Sequence, residues 1–147
     1  AGVPAGPAID LFLAMWRRAR LRIAHNESFD ARMLRIEIMR LKGRPPADQW
    51  KEAPAACTMR MAAPVMNLAP TDAMLATNRH GPKPPSLAEA HQFFLGKPLV
   101  NAHNAVVDVL ACKSIYFEIL KRGTKDELVP SNEPTGTVSF KAEDLGL

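Results

Sequence analysis

Apolar residues recur at helical spacing in four stretches of the chain and form short alternating or continuous runs in two others. Ile9, Phe12, Leu13 and Trp16 lie three or four residues apart in turn. They predict an amphipathic helix from about Pro7 to Arg18, with Pro7 in its first turn. Leu21-Arg22-Ile23-Ala24 is short and partly alternating, and reads as a strand. A second helix is expected from about Phe29 to Leu41, with Phe29, Met33, Leu34, Ile36 and Leu41 as its apolar face and Gly43 and Pro45 ending it. Pro45 to Pro54 reads as a polar loop and Ala55-Ala56-Cys57-Thr58 as a short buried strand. Met59–Leu68 and Asp72–Leu75 read as helical pieces broken by Pro64 and Pro70, and His80–Pro85 as a rigid connector. Ser86 with Glu89 three residues on is a capping box for a helix to Leu95, stopped by Gly96-Lys97-Pro98. The last helix is expected from Ala105 to about Arg122, with Asn104 as its N-cap. Val106, Val109, Leu110, Ile115, Phe117 and Leu120 should make it largely buried. Residues 124–147 hold no sustained period and read as a tail behind a domain of residues 1–123; disorder is the plainer expectation for it, a partner-binding segment the alternative. A strand that hands over directly to a helix is an α/β pattern, here with few strands.

Composition narrows the class. A chain of 147 residues fits one domain, and 47% apolar with 23% charged residues excludes a wholly disordered chain. No apolar run approaches the ~18 residues of a membrane span. Pro4 and Pro7, with no charge before them, break any signal-peptide pattern. Cys57 and Cys112 make no disulfide framework, so a reducing, cytoplasmic setting is expected, with no membrane partner. A net charge of +4 is compatible with a polyanionic partner. The chain opens on Ala1-Gly2 rather than Met, which suggests a piece of something longer or a processed form.

Two clusters carry candidate chemistry. His25-Asn26-Glu27-Ser28-Phe29-Asp30 lies where a strand meets a helix, the place where open parallel sheets bind ligands. Asp30 there is either a functional acid or a complement to the helix macrodipole. His103-Asn104-Ala105-Val106-Val107-Asp108 puts a histidine in the loop before a helix and a carboxylate within an apolar stretch. A carboxylate so placed needs a partner, and a hard metal ion is one; the alternative is a capping aspartate with a surface histidine. Phe29 could stack a base or belong to the core. Arg17, Arg18, Arg20 and Arg22 could track phosphates or simply favour a helix C-terminus. Met59, Met61 and Met66 read as core filling, and no CxxC or HxxxH pairing points to zinc.

Taken together, these residues resemble the DEDDh 3′–5′ exonucleases, the superfamily of bacterial and phage proofreading exonucleases. Ala24-His25-Asn26-Glu27-Ser28-Phe29-Asp30 looks like that family's second motif, and Ala102-His103-Asn104-Ala105-Val106-Val107-Asp108 like its third. Cys57-Thr58-Met59 and Lys83 to Ala90 resemble its connecting segments, so the likeness runs roughly from Pro7 to Gly123. The resemblance implies a ribonuclease-H-like α/β fold and stepwise hydrolysis of DNA or RNA from the 3′ end to nucleoside 5′-monophosphates. It implies two Mg²⁺ or Mn²⁺ ions, with Asp108 as a direct ligand, Asp30 acting mainly through water around the ions, and His103 as the general base. His25, Asn26 and Phe29 would touch substrate, and the partners would be single-stranded 3′ ends and a DNA polymerase subunit. The family's first motif, Asp-x-Glu on the central strand, has no counterpart: Asp10 is followed by Leu11-Phe12 in a helical pattern, and Glu143-Asp144 lies in the tail. The chain therefore resembles the C-terminal part of an incomplete domain, expected to be inactive alone. A catalytically silent member, used for nucleic-acid binding or as a polymerase scaffold, is the alternative.

Overall fold

In the computed structural model, residues 2–123 are described. Helix α1 (Ala5–Trp16) leads to strand β1 (Arg22–Ala24), then α2 (Glu27–Lys42), α3 (Arg44–Glu52) and strand β2 (Ala55–Cys57). Helices α4 (Thr58–Met66), α5 (Asp72–Leu75), α6 (Leu87–Leu95) and α7 (Ala105–Lys121) follow. The two strands pair in parallel, Arg22 opposite Ala55 and Ala24 opposite Cys57. A parallel pair needs a crossover, which α2 and α3 supply. The tail assigned to residues 124–147 lies outside the described residues.

Helices pack on this small sheet in two groups. Ile9 and Leu13 of α1, Ile38 of α2, and Ala47 and Trp50 of α3 form one core. Phe12 and Trp16 both meet the Trp50 ring edge-on, with ring centres 5.3 Å away in each case. The second core joins Ala56 of β2, Met61 and Ala62 of α4, Ala90 and Phe94 of α6, and Ile115, Tyr116 and Ile119 of α7. Strand β2 is buried throughout, whereas Ile23 in β1 is exposed, and among the described residues nothing pairs with the outer edge of β1.

Two expectations change. The segment read as a loop after Pro45 is largely helical. Pro45 and Pro46 lie in the first turn of α3, where their missing N–H groups cost the helix nothing, and Ala47 and Trp50 supply a buried face three residues apart. Helix α7 is not buried all round. Ala111, Cys112, Ile115, Tyr116 and Ile119 face the core, while Val106, Val109 and Leu110 are exposed. Helix α2 likewise carries a second apolar stripe, Phe29, Met33 and Ile36, left on the surface opposite its core face. Phe29 is thus not a core residue.

Local signals act where the sequence places them. The Ser86 hydroxyl accepts from the Glu89 N–H while the Glu89 carboxylate accepts from the Ser86 N–H, and Gly96 at φ 70° closes α6 in the left-handed region. Lys83, whose ammonium lies 2.5 Å from the Glu89 carboxylate, and the Ser86 N–H hold the Glu89 pKa down at about 2. A depressed carboxylate stabilises the fold above its unfolded pKa, near 4.5, and that contribution is lost as pH falls towards 2. Urea midpoints should therefore fall across that window, and Glu89→Gln should flatten the fall.

A candidate active site at the end of strand β1

The chain leaves β1 through His25 and turns into α2 at Asn26, whose left-handed φ of 63° an asparagine tolerates. Asn26 and Phe29 are exposed on that corner, with Asp30 one turn into the helix. Burial, and secondarily the charge of Glu27, pushes the Asp30 carboxyl above its ordinary pKa. Helix α7 packs against β1. Asn104 caps it, its side-chain oxygen accepting from the Val106 and Val107 N–H groups. Asp108 shares the inward face of α7 with Cys112, Ile115 and Ile119, at four-, three- and four-residue intervals, and stands one turn closer to the helix start.

A polar hub ties the end of β1 to α7. His25 Nε2–H donates to the Pro85 carbonyl at 2.9 Å, because a carbonyl can only accept. In the neutral ring that leaves Nδ1 to accept from the Thr58 hydroxyl, also at 2.9 Å. Thr58 Oγ1 lies 3.5 Å from Cys112 Sγ, close enough to accept from the thiol. Thr58 is fully buried and opens α4 directly after β2. One hydroxyl therefore ties the ends of both strands to the middle of α7. Burial, opposed by the Pro85 bond, lowers the His25 pKa and favours this neutral ring. Burial also pushes the Cys112 thiol up, and the charge of Asp30 adds to that rise. Asp30 therefore lies within electrostatic reach of Cys112 in α7.

The sequence-predicted residues fall out as follows. Asp30 and Asp108 come from different helices, and Asp30 acts electrostatically on Cys112, four residues along α7 from Asp108. His103 sits in the turn before α7 at a left-handed φ of 73°, its backbone N–H donating to Asp108 Oδ1 at 3.3 Å. Its ring is exposed. Asn26 and Phe29 face solvent beside Asp30, whereas His25 points inward with both ring nitrogens engaged by protein groups. Among the described residues, no group of three or more His, Cys, Asp or Glu side chains gathers as a metal cage. No described helix is long and apolar enough to cross a membrane. Sequence reasoning missed Thr58 and Cys112 as a structural pair; they are 54 residues apart, and nothing local to either announces the bond. No family model, no curated protein and no solved structure matches the chain.

Proposed function

We propose that this chain is the C-terminal part of a metal-dependent 3′–5′ exonuclease domain of ribonuclease-H-like α/β type, acting on DNA or RNA 3′ ends in the cytoplasm, with a DNA polymerase subunit as a fitting partner. The observation that carries the reading is Asp30 at the end of a parallel strand, within electrostatic reach of Cys112 on α7, the helix whose inward face also holds Asp108. Carboxylate oxygens are the donors that Mg²⁺ or Mn²⁺ takes. The two acids fit such ions in chemistry and fall short in number, so they amount to half a site. An ion bound there would supply charge stabilisation to the reacting phosphate.

The chain's own groups then have distinct tasks. Asp30 brings negative charge to the end of β1, and Asp108 brings it to the first turns of α7. His103, exposed on the turn that Asp108 holds, can take a proton from an incoming water. Asn26 and Phe29 offer an amide and a ring face to the terminal nucleotide. His25 holds the corner from behind. The missing acids would come from an Asp-x-Glu strand added to the open edge of β1. The open edge of β1 and the exposed Ile23 on that strand leave room for such a neighbour.

The test is a time course on a 5′-labelled single-stranded oligonucleotide with Mg²⁺ or Mn²⁺. The isolated 147-residue chain should leave it intact. The chain extended by whatever its reading frame encodes before Ala1 should shorten it one nucleotide at a time. Robust degradation by the isolated chain overturns the half-site reading. A frame with no Asp-x-Glu strand favours the silent, nucleic-acid-binding alternative.

A further inference from the structure

A second concavity lies at the other end of β1, away from Asn26 and Asp30. It encloses about 340 Å³ between the end of α1, the start of β1, α3 and the approach to β2. That is within the range of small-ligand sites, roughly 300–1,000 Å³. Three of its lining residues are arginines, Arg17, Arg20 and Arg22, and none of them is acidic. Its remaining wall is mostly apolar, with Trp16 and Pro54 the flat elements and Gln49 the one neutral amide.

The three arginines are not equivalent. The Arg22 guanidinium is held by Glu27 at 2.5 Å and lies 4.3 Å from the Trp50 ring centre, which fixes it as wall. Arg17 and Arg20 are exposed at the rim and bring the positive charge there. A helix C-terminus favours cations in any case, but that explains neither the cavity nor its aromatic side. Trp16 is braced edge-on against Trp50 at an interplanar angle of 74°, so its ring is set before any ligand arrives. Guanidinium forks match phosphoryl oxygens two at a time, and a rigid indole matches a flat ring.

We propose that this cavity binds a small phosphorylated molecule with a planar body, of the nucleoside 5′-monophosphate kind, its phosphoryl group at Arg17 and Arg20 and its ring along Trp16. The site does not rest on the exonuclease reading, because its lining includes none of Asn26, Phe29, Asp30, His103 and Asp108.

The experiment titrates the 147-residue chain with AMP, adenosine and inorganic phosphate, by calorimetry and by following the Trp16 indole N–H in NMR. AMP should bind saturably and shift that signal, with adenosine and phosphate each weaker by about tenfold or more. Arg17→Ala with Arg20→Ala, both at exposed positions, should weaken AMP by about tenfold or more, while Arg32→Ala on the outside of α2 leaves it unchanged. Adenosine binding as tightly as AMP, an unmoved Trp16 signal, or equal AMP affinity in the double variant overturns the proposal. Displacement of AMP by hexaglutamate at lower concentration than by pyrophosphate also overturns it, in favour of an acidic peptide.

Discussion

Asp108→Asn should abolish nucleotide release in the polypeptide that carries the complete acidic set, while 3′-end binding survives. The substitution is a clean one. Asparagine keeps an oxygen where Asp108 Oδ1 now accepts from the His103 N–H, so the turn before α7 can persist while the charge is gone. The loss is one carboxylate's share of charge stabilisation at the phosphate, several kcal/mol, or roughly 10³-fold in rate. His103→Asn tests the proton acceptor separately. Asparagine tolerates the left-handed φ of 73° better than alanine does, so the backbone is spared. Loss of a positioned base costs about 10²–10⁴-fold in rate. Wild-type rates in both variants would refute the site assignment.

Legibility of the chain varied with how local each determinant is. Helix α6 was written into three closely spaced residues, Ser86, Glu89 and Gly96, and formed where those signals fall. Asn104 did the same for α7. Helix α3 was hidden because Pro45-Pro46 breaks a helix interior but not a first turn, and sequence pattern alone does not distinguish the two until the position of the start is known. The exposed faces of α2 and α7 were misread for another reason. Periodicity reports that a face is apolar, not that this chain covers it, so Phe29, Met33, Val106 and Val109 looked like core. At the candidate site, Asp30 and Asp108 could be named because each belongs to a short motif. What ties the end of β1 to α7 is a Thr58 hydroxyl reaching His25 across 33 residues and Cys112 across 54, and such contacts leave no local trace. The Arg22–Glu27 pair is hidden similarly: five residues apart across a strand–helix corner, it fits neither helical nor strand spacing.

That pair should be the most sensitive polar point in the fold. Arg22 Nε and Glu27 Oε1 are 2.5 Å apart, with side chains only 9% and 2% exposed. Arg22 also donates to the Trp50 carbonyl and lies over the Trp50 ring, and Trp50 Nε1–H in turn donates to the Ala31 carbonyl at 2.9 Å. The cluster thus links β1, the start of α2 and α3 around the ring at the centre of the first core. Glu27→Ala removes the carboxylate and leaves a buried guanidinium charge without its counter-charge, which should cost about 3–5 kcal/mol. Against a total stability of roughly 5–15 kcal/mol that is enough to unfold much of the population on mild heating. A paired apolar replacement, Arg22→Met with Glu27→Leu, should recover most of the loss, because it removes both desolvated charges at once. Urea denaturation at constant slope reads both variants directly. A Glu27→Ala cost below about 1 kcal/mol would mean that the Arg22 head swings out to water, and would return the task of joining β1 to α3 to the packing of Trp50 alone.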